Sequence, residues 1–114
     1  MSSLREVECE ACSAESAPMD EDDRLRYLPE IPEWSVRSVD GIERLERGFA
    51  VSSYPAAVDF TRRVAEMAEA AGHHPAILLE WGRVTISWWT HAIGGLHLND
   101  FILASRTDAL YSGS

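Results

Sequence analysis

Apolar positions fall into blocks with different periods along the chain. Between the Ser52-Ser53 pair and Gly72, Ala57, Phe60, Val64, Met67, Ala68 and Ala71 recur at helical spacing. Asp59, Arg62, Arg63, Glu66 and Glu69 fill the other positions, which predicts an amphipathic helix with one core-facing side. Ser52 or Ser53 is placed to cap it, Pro55 suits its first turn, and Gly72 can adopt the left-handed conformation that ends a helix. Arg83–Trp89 has period two. Val84, Ile86 and Trp88 share one face, while Arg83, Thr85, Ser87, Trp89 and, were the strand to continue, His91 share the other. Ala76–Trp81 reads as its hairpin partner, turning near Gly82.

Upstream, Trp34–Val39 and Ile42–Val51 read as two strands joined at Asp40-Gly41, a strong hairpin signal. Ile42, Leu45, Phe49 and Val51 alternate imperfectly, which leaves room for a bulge. Asp20–Leu28 reads as a short helix capped by Asp20, with acids in its first turn and Pro29 and Pro32 beyond it. Leu98–Leu110 reads as the last helix, with His97 or Asn99 as cap and Asp100 near the positive end. The order α-β-β-α-β-β-α predicts an α+β domain over residues 19–114, a four-stranded antiparallel sheet with its helices on one face. Residues 1–18 read as a flexible polar leader closed by Pro18.

Charge narrows the partners. The chain has 19 acidic and 10 basic residues, and every base is arginine. Residues 1–34 hold ten acids against three arginines, a net of −7, which leaves −2 for the remainder. This balance excludes the basic footprint expected of a nucleic-acid or anionic-membrane binder. No apolar run approaches the roughly 20 residues of a membrane helix, and the N-terminus lacks the apolar stretch of a signal peptide. A cytoplasmic location is expected, where Cys9 and Cys12 would remain thiols. Their lone CxxC has no second pair to complete a zinc site, so no metal is expected.

The chemistry concentrates in four histidines within 25 residues: His73, His74, His91 and His97. The first three sit where predicted elements end, positions from which side chains project into ligand space. Imidazole accepts and donates protons near neutral pH. Taken singly, His74 before Pro75 could merely shape a turn, and His91 could satisfy backbone groups at the sheet end.

The spacing Glu69-x3-His73-His74-Pro75-x5-Trp81-x9-His91-x8-Asp100 resembles the signature of pterin-4a-carbinolamine dehydratases. The segment AEAAGHHPAILLEWGRVTISWWTHAIGGLHLNDFILASRTD resembles the bacterial type associated with phenylalanine hydroxylase, and weaker similarity runs back through IPEWSVRSVDGIERLERGFAV. The resemblance implies an α+β subunit assembled as a homodimer or homotetramer. It implies loss of water from 4a-hydroxytetrahydropterin to give quinonoid dihydropterin, with no cofactor and no metal. Its three catalytic histidines fall on His73, His74 and His91, and its substrate-contacting turns on His73–Pro75 and on Thr90, His91, Ala92 and Ile93. Glu69 and Asp100 match supporting acids. Trp81 and Trp89 are candidate walls for a flat ring, with core or interface packing as the competing role.

In the implied chemistry, one of His73 and His91 serves as acid and the other as base, with His74 binding substrate. Many family members have threonine where His97 stands, and some animal members an acid where Gly72 stands. Two other functions fit the resemblance. One is a non-catalytic regulatory protein, partner of phenylalanine hydroxylase or of a transcription factor. The other is a dehydratase-like protein of molybdopterin metabolism.

Overall fold

The computed structural model describes residues 19–112. The expected leader, with Cys9 and Cys12, lies outside the described residues. The elements are α1 (Glu21–Tyr27), β1 (Ser35–Val39), β2 (Ile42–Ala50), α2 (Tyr54–Ala71), β3 (Ala76–Glu80), β4 (Arg83–Trp88) and α3 (Leu98–Ser112), with 3₁₀ turns at Leu28–Glu30 and His91–Ile93. The four strands form one antiparallel sheet in the order β1-β2-β4-β3. The α+β class and strand count expected from the pattern are those found.

Local chemistry sets the element ends. Asp20 caps α1, its Oδ1 accepting from the Asp23 amide at 2.9 Å. Ser53 caps α2 through its hydroxyl oxygen, 3.2 Å from the Ala56 amide. At the other end Gly72 takes φ 67°, and the His73 amide donates back to the Ala68 carbonyl at 3.1 Å. This closure stops the helix one residue before the histidine pair. Asp40 (φ 53°) and Gly41 (φ 80°) make the two-residue β1–β2 turn, which pairs Val39 with Ile42 and so fixes the register.

No bulge interrupts β2. Its pairing with β4 is continuous from Leu45↔Trp88 to Ala50↔Arg83. In the imperfect alternation Ile42 falls on the other face, and the inward position between Leu45 and Phe49 is taken by Arg47, which faces the helices. Its guanidinium lies 4.3 Å from the Phe49 ring centre and its Nη1 is 2.6 Å from Asp108 Oδ1. Asp108 also accepts from Trp34 Nε1 at 2.8 Å, so the inward charge is paired.

Under the helices, Leu45, Phe49, Val84, Ile86 and Trp88 meet Ala57, Phe60, Val64 and Ala68 of α2 and Phe101, Ile102, Leu103 and Ala104 of α3. Each large side chain removed from water here contributes about 1.5–3 kcal/mol before entropy is charged against it. Trp88 is fully buried in this layer. Its neighbour Trp89 lies on the face opposite the described helices, beneath the guanidinium of Arg44. Trp88 thus ties β4 to the core while Trp89 is left to build the other side of the sheet end.

Candidate active site

The site lies where β4 ends and β3 begins, because the pairing Ala76↔Ser87 brings the His73–Pro75 turn beside the segment leaving β4. At its centre is Asp100, fully buried in the first turn of α3. Its Oδ1 accepts from His73 Nε2 at 2.7 Å. Its Oδ2 accepts from the Thr90 hydroxyl at 2.8 Å and from the His97 amide at 2.9 Å. The positive end of α3 adds to these donors, so a buried carboxylate is tolerated. Because Nε2 is held by Asp100, Nδ1 is the His73 nitrogen left for proton exchange.

His97 is the cap of α3. Its Nδ1 accepts from the Asn99 amide at 3.1 Å, and Asp100 reaches back to the His97 amide. This is the reciprocal arrangement of a capping box, with imidazole in place of a hydroxyl. The same carboxylate therefore starts the helix and orients His73.

His73 is held from a second direction. Its ring stacks on Trp88, with centres 5.8 Å apart and planes 14° from parallel. Trp88 is in turn fixed by its Nε1, which donates to Thr107 Oγ1 at 3.1 Å. The His73 side chain is only 10% exposed. His74 differs: 62% of its side chain is open, and its contact is Glu69 Oε1 at 3.2 Å, itself an exposed carboxylate. One imidazole is thus almost enclosed and held from two directions, the other presented to solvent.

His91 begins the 3₁₀ turn that follows Thr90. That turn is closed by Thr90 and Gly95, whose backbones pair at 2.8 and 3.4 Å. The His91 ring packs on Trp89 with centres 4.6 Å apart. Ala92 is exposed and Ile93 partly buried in the same turn. Pro75 follows His74 directly into β3. Hence His73, His74, Pro75, Thr90, His91, Ala92, Ile93, Glu69 and Asp100 share one end of the sheet.

Trp81 does not join them. It sits in the β3–β4 turn at the opposite end of that hairpin and is 76% exposed. Two contributors were not legible from the sequence, namely Trp88 as the platform under His73 and Arg44 as the cation above Trp89. Spacing within β4 placed Trp88 inward, but what lands on it depends on where α2 ends. Among the described residues, no group of three or more His, Cys, Asp or Glu side chains converges as a metal-ligand set. Nor is any helix long and apolar enough to cross a membrane.

The structure is thus an antiparallel sheet with helices on one face and, at one sheet end, a histidine held by a buried carboxylate. The sequence matches the pterin 4 alpha carbinolamine dehydratase family over residues 17–110, and the chain belongs to that family. It is 50% identical over 111 residues to a Marinobacter nauticus protein named "Putative pterin-4-alpha-carbinolamine dehydratase", covering 97% of this chain and 100% of the relative. A Chlorobaculum tepidum protein of the same name is 48% identical over 110 residues, covering 96% and 99%. Among solved structures, a transcriptional coactivator/pterin dehydratase from Brucella melitensis superposes with a TM-score of 0.73 at 26% identity, covering 83% of this chain and 99% of that one. A pterin dehydratase-like protein described as a RuBisCO assembly factor in the alpha-carboxysome superposes at 0.61, also at 26% identity, covering 72% and 93%.

Proposed function

We propose that the protein dehydrates 4a-hydroxytetrahydropterin to quinonoid dihydropterin by histidine acid–base catalysis. The observation that carries this reading is the Asp100–His73 pair, braced by Thr90 and Trp88, at the same sheet end as His74 and His91. The reaction breaks the C4a–O bond, releases the hydroxyl as water and removes one proton from a ring nitrogen. It therefore needs one proton delivered and one withdrawn. His73 suits withdrawal, since the Asp100 carboxylate behind Nε2 stabilises the imidazolium that forms when Nδ1 takes up a proton. His91 then delivers a proton to the departing hydroxyl. His74, exposed and paired with Glu69, binds and orients the polar edge of the pterin. His73–Pro75 and Thr90–Ile93 are the substrate-contacting turns.

The physiological setting follows from the resemblance to the bacterial type associated with phenylalanine hydroxylase. In this reading the enzyme returns the carbinolamine made by that hydroxylase to the reducible pterin pool in the cytoplasm, and the hydroxylase is a candidate partner. The working unit is a homodimer or homotetramer. Edge strands β1 and β3 and the exposed Leu78 and Trp81 are what such an assembly would cover.

The test uses chemically generated 4a-carbinolamine and follows quinonoid dihydropterin by absorbance. Acceleration by the pure protein, lost in His73→Ala and His91→Ala, supports the reading. A folded protein that gives no acceleration would overturn it and favour the regulatory role, which one solved relative's description as an assembly factor keeps in view.

A further inference from the structure

On the sheet face opposite the described helices, the pairing Leu45↔Trp88 sets Arg44 level with Trp89. The Arg44 guanidinium carbon lies 4.0 Å from the Trp89 ring centre. On the same indole packs His91, at 4.6 Å between centres and 39° between planes. Arg44 and His91 therefore both pack on Trp89 at the sheet end that carries the candidate active site. Arg44 is partly buried, and its Nε is buried with no hydrogen-bond partner among the described residues. The nearest acid along β2 on this face, Glu46, is occupied by Arg37 at 3.4 Å and by the Ser87 hydroxyl at 3.1 Å. Among the described residues, the Arg44 head packs on the indole, an attraction between a cation and the electron-rich ring face.

We propose that Arg44 is a positioning residue that, through Trp89, fixes the ring of His91 for proton transfer. The inference rests on the reading of His91 as a proton-transfer group and adds how that ring is held. His73 has Trp88 and Asp100 to define its orientation. His91 stands in an exposed turn, and its ring packs on Trp89. A proton donor that swings freely loses much of the advantage of being bound near its substrate. Arg44 restrains the indole, and the indole supplies a flat wall that restrains the imidazole.

The test combines proton NMR of the His91 ring with turnover in four variants of the full chain: Trp89→Leu, Trp89→Phe, Arg44→Met and Arg44→Lys. An aromatic face 4.6 Å away shifts the His91 ring protons by its ring current. Trp89→Leu should abolish that shift and lower kcat roughly ten-fold with KM little changed. Arg44→Met should reduce the shift and lower kcat by a few-fold. Trp89→Phe and Arg44→Lys should restore most of both. Melting temperatures verify that each variant is folded, and the two conservative variants guard against a Trp89→Leu chain that is not. His91 resonances that are identical in wild type, Trp89→Leu and Arg44→Met would overturn the packing on Trp89, whether or not the wild type dehydrates pterins. Shifted resonances with unchanged kcat would overturn its positioning role. Absence of dehydratase activity in the wild type would defeat the function instead, and the ring protons alone would then decide the restraint.

Discussion

Asp100 Oδ1 lies 2.7 Å from His73 Nε2, although the two residues are 27 positions apart and belong to different helix ends. The Gly72 closure of α2 delivers one and the cap of α3 the other, so two helix termini meet at one hydrogen bond. Asp100→Asn keeps the shape but replaces an acceptor by an amide donor facing the donors of Thr90 and His97. The expected result is a loss of about 1–3 kcal/mol in stability and a fall in kcat of roughly 10²-fold or more. Urea unfolding and carbinolamine turnover measure the two separately. Unchanged turnover in a folded Asp100→Asn protein would remove this carboxylate from the mechanism.

The three histidines should separate kinetically. His73→Ala and His91→Ala remove proton-transfer groups, so each is expected to slow turnover by roughly 10²–10⁴-fold. His74 is exposed and its partner Glu69 is more exposed still. His74→Ala should therefore raise KM more than it lowers kcat, with little change in stability. Steady-state kinetics over a range of carbinolamine concentration distinguishes the two patterns.

Much of this arrangement was legible in the sequence, for identifiable reasons. Ser53 acts through its own hydroxyl, and Gly72 and Asp40-Gly41 through their own backbones, so their roles can be read locally. The alternation of Val84, Ile86 and Trp88 predicts the buried face of β4, and spacing gathers the histidines at element ends. Arg47 was not legible. It reads as a break in β2 until Asp108, 61 residues away and itself bonded by Trp34 Nε1, supplies its partner. Arg44 was missed for a related reason, since only the β2–β4 register sets it over Trp89. Trp81 belongs to the same family spacing as His73, yet a hairpin of two five- to six-residue strands carries it to the far end of the sheet. Long-range pairing is what a linear pattern lacks.

The cap of α3 gives a stability test independent of turnover. His97→Ala removes the Nδ1 acceptor of the Asn99 amide and should cost about 1 kcal/mol. His97→Thr or His97→Ser replaces it by a hydroxyl and should recover most of that loss. Parallel urea titrations of the wild type and the three variants check this.

Acid should also loosen α1. Arg24 donates to both oxygens of Glu43, at 2.9 and 2.6 Å, and this pairing holds the Glu43 carboxyl below the ordinary glutamate value of about 4.5. A lowered folded-state value means the contribution is fully present above that ordinary value and is lost as pH falls through the lower one. Glu43 is 42% exposed, so solvent screening limits the contribution to under about 1 kcal/mol. Glu43→Gln should remove the part of the acid dependence that comes from this pair. Hydrogen exchange of the α1 amides in wild type and variant, between about pH 3 and 6, reads it directly.

Assembly supplies the last test. The described domain is 94 residues long, a size at which a single core leaves little margin. Strands β1 and β3 lie at the two edges of the sheet, each with one row of backbone donors and acceptors unmatched within it. Leu78, on the edge strand β3, is 57% exposed, and Trp81 in the adjoining turn is 76% exposed. Two large apolar side chains on one sheet edge are better explained by a second copy of the chain than by solvent. A homodimer or homotetramer that covers this edge is therefore expected. Leu78→Glu, which places a carboxylate at the edge without touching the core under the helices, should lower the oligomer order seen by light scattering. It should leave the circular dichroism of the subunit unchanged. A wild-type protein that is a stable, active monomer at micromolar concentration, or an oligomer indifferent to both Leu78→Glu and Trp81→Ser, would show that this edge is not the contact.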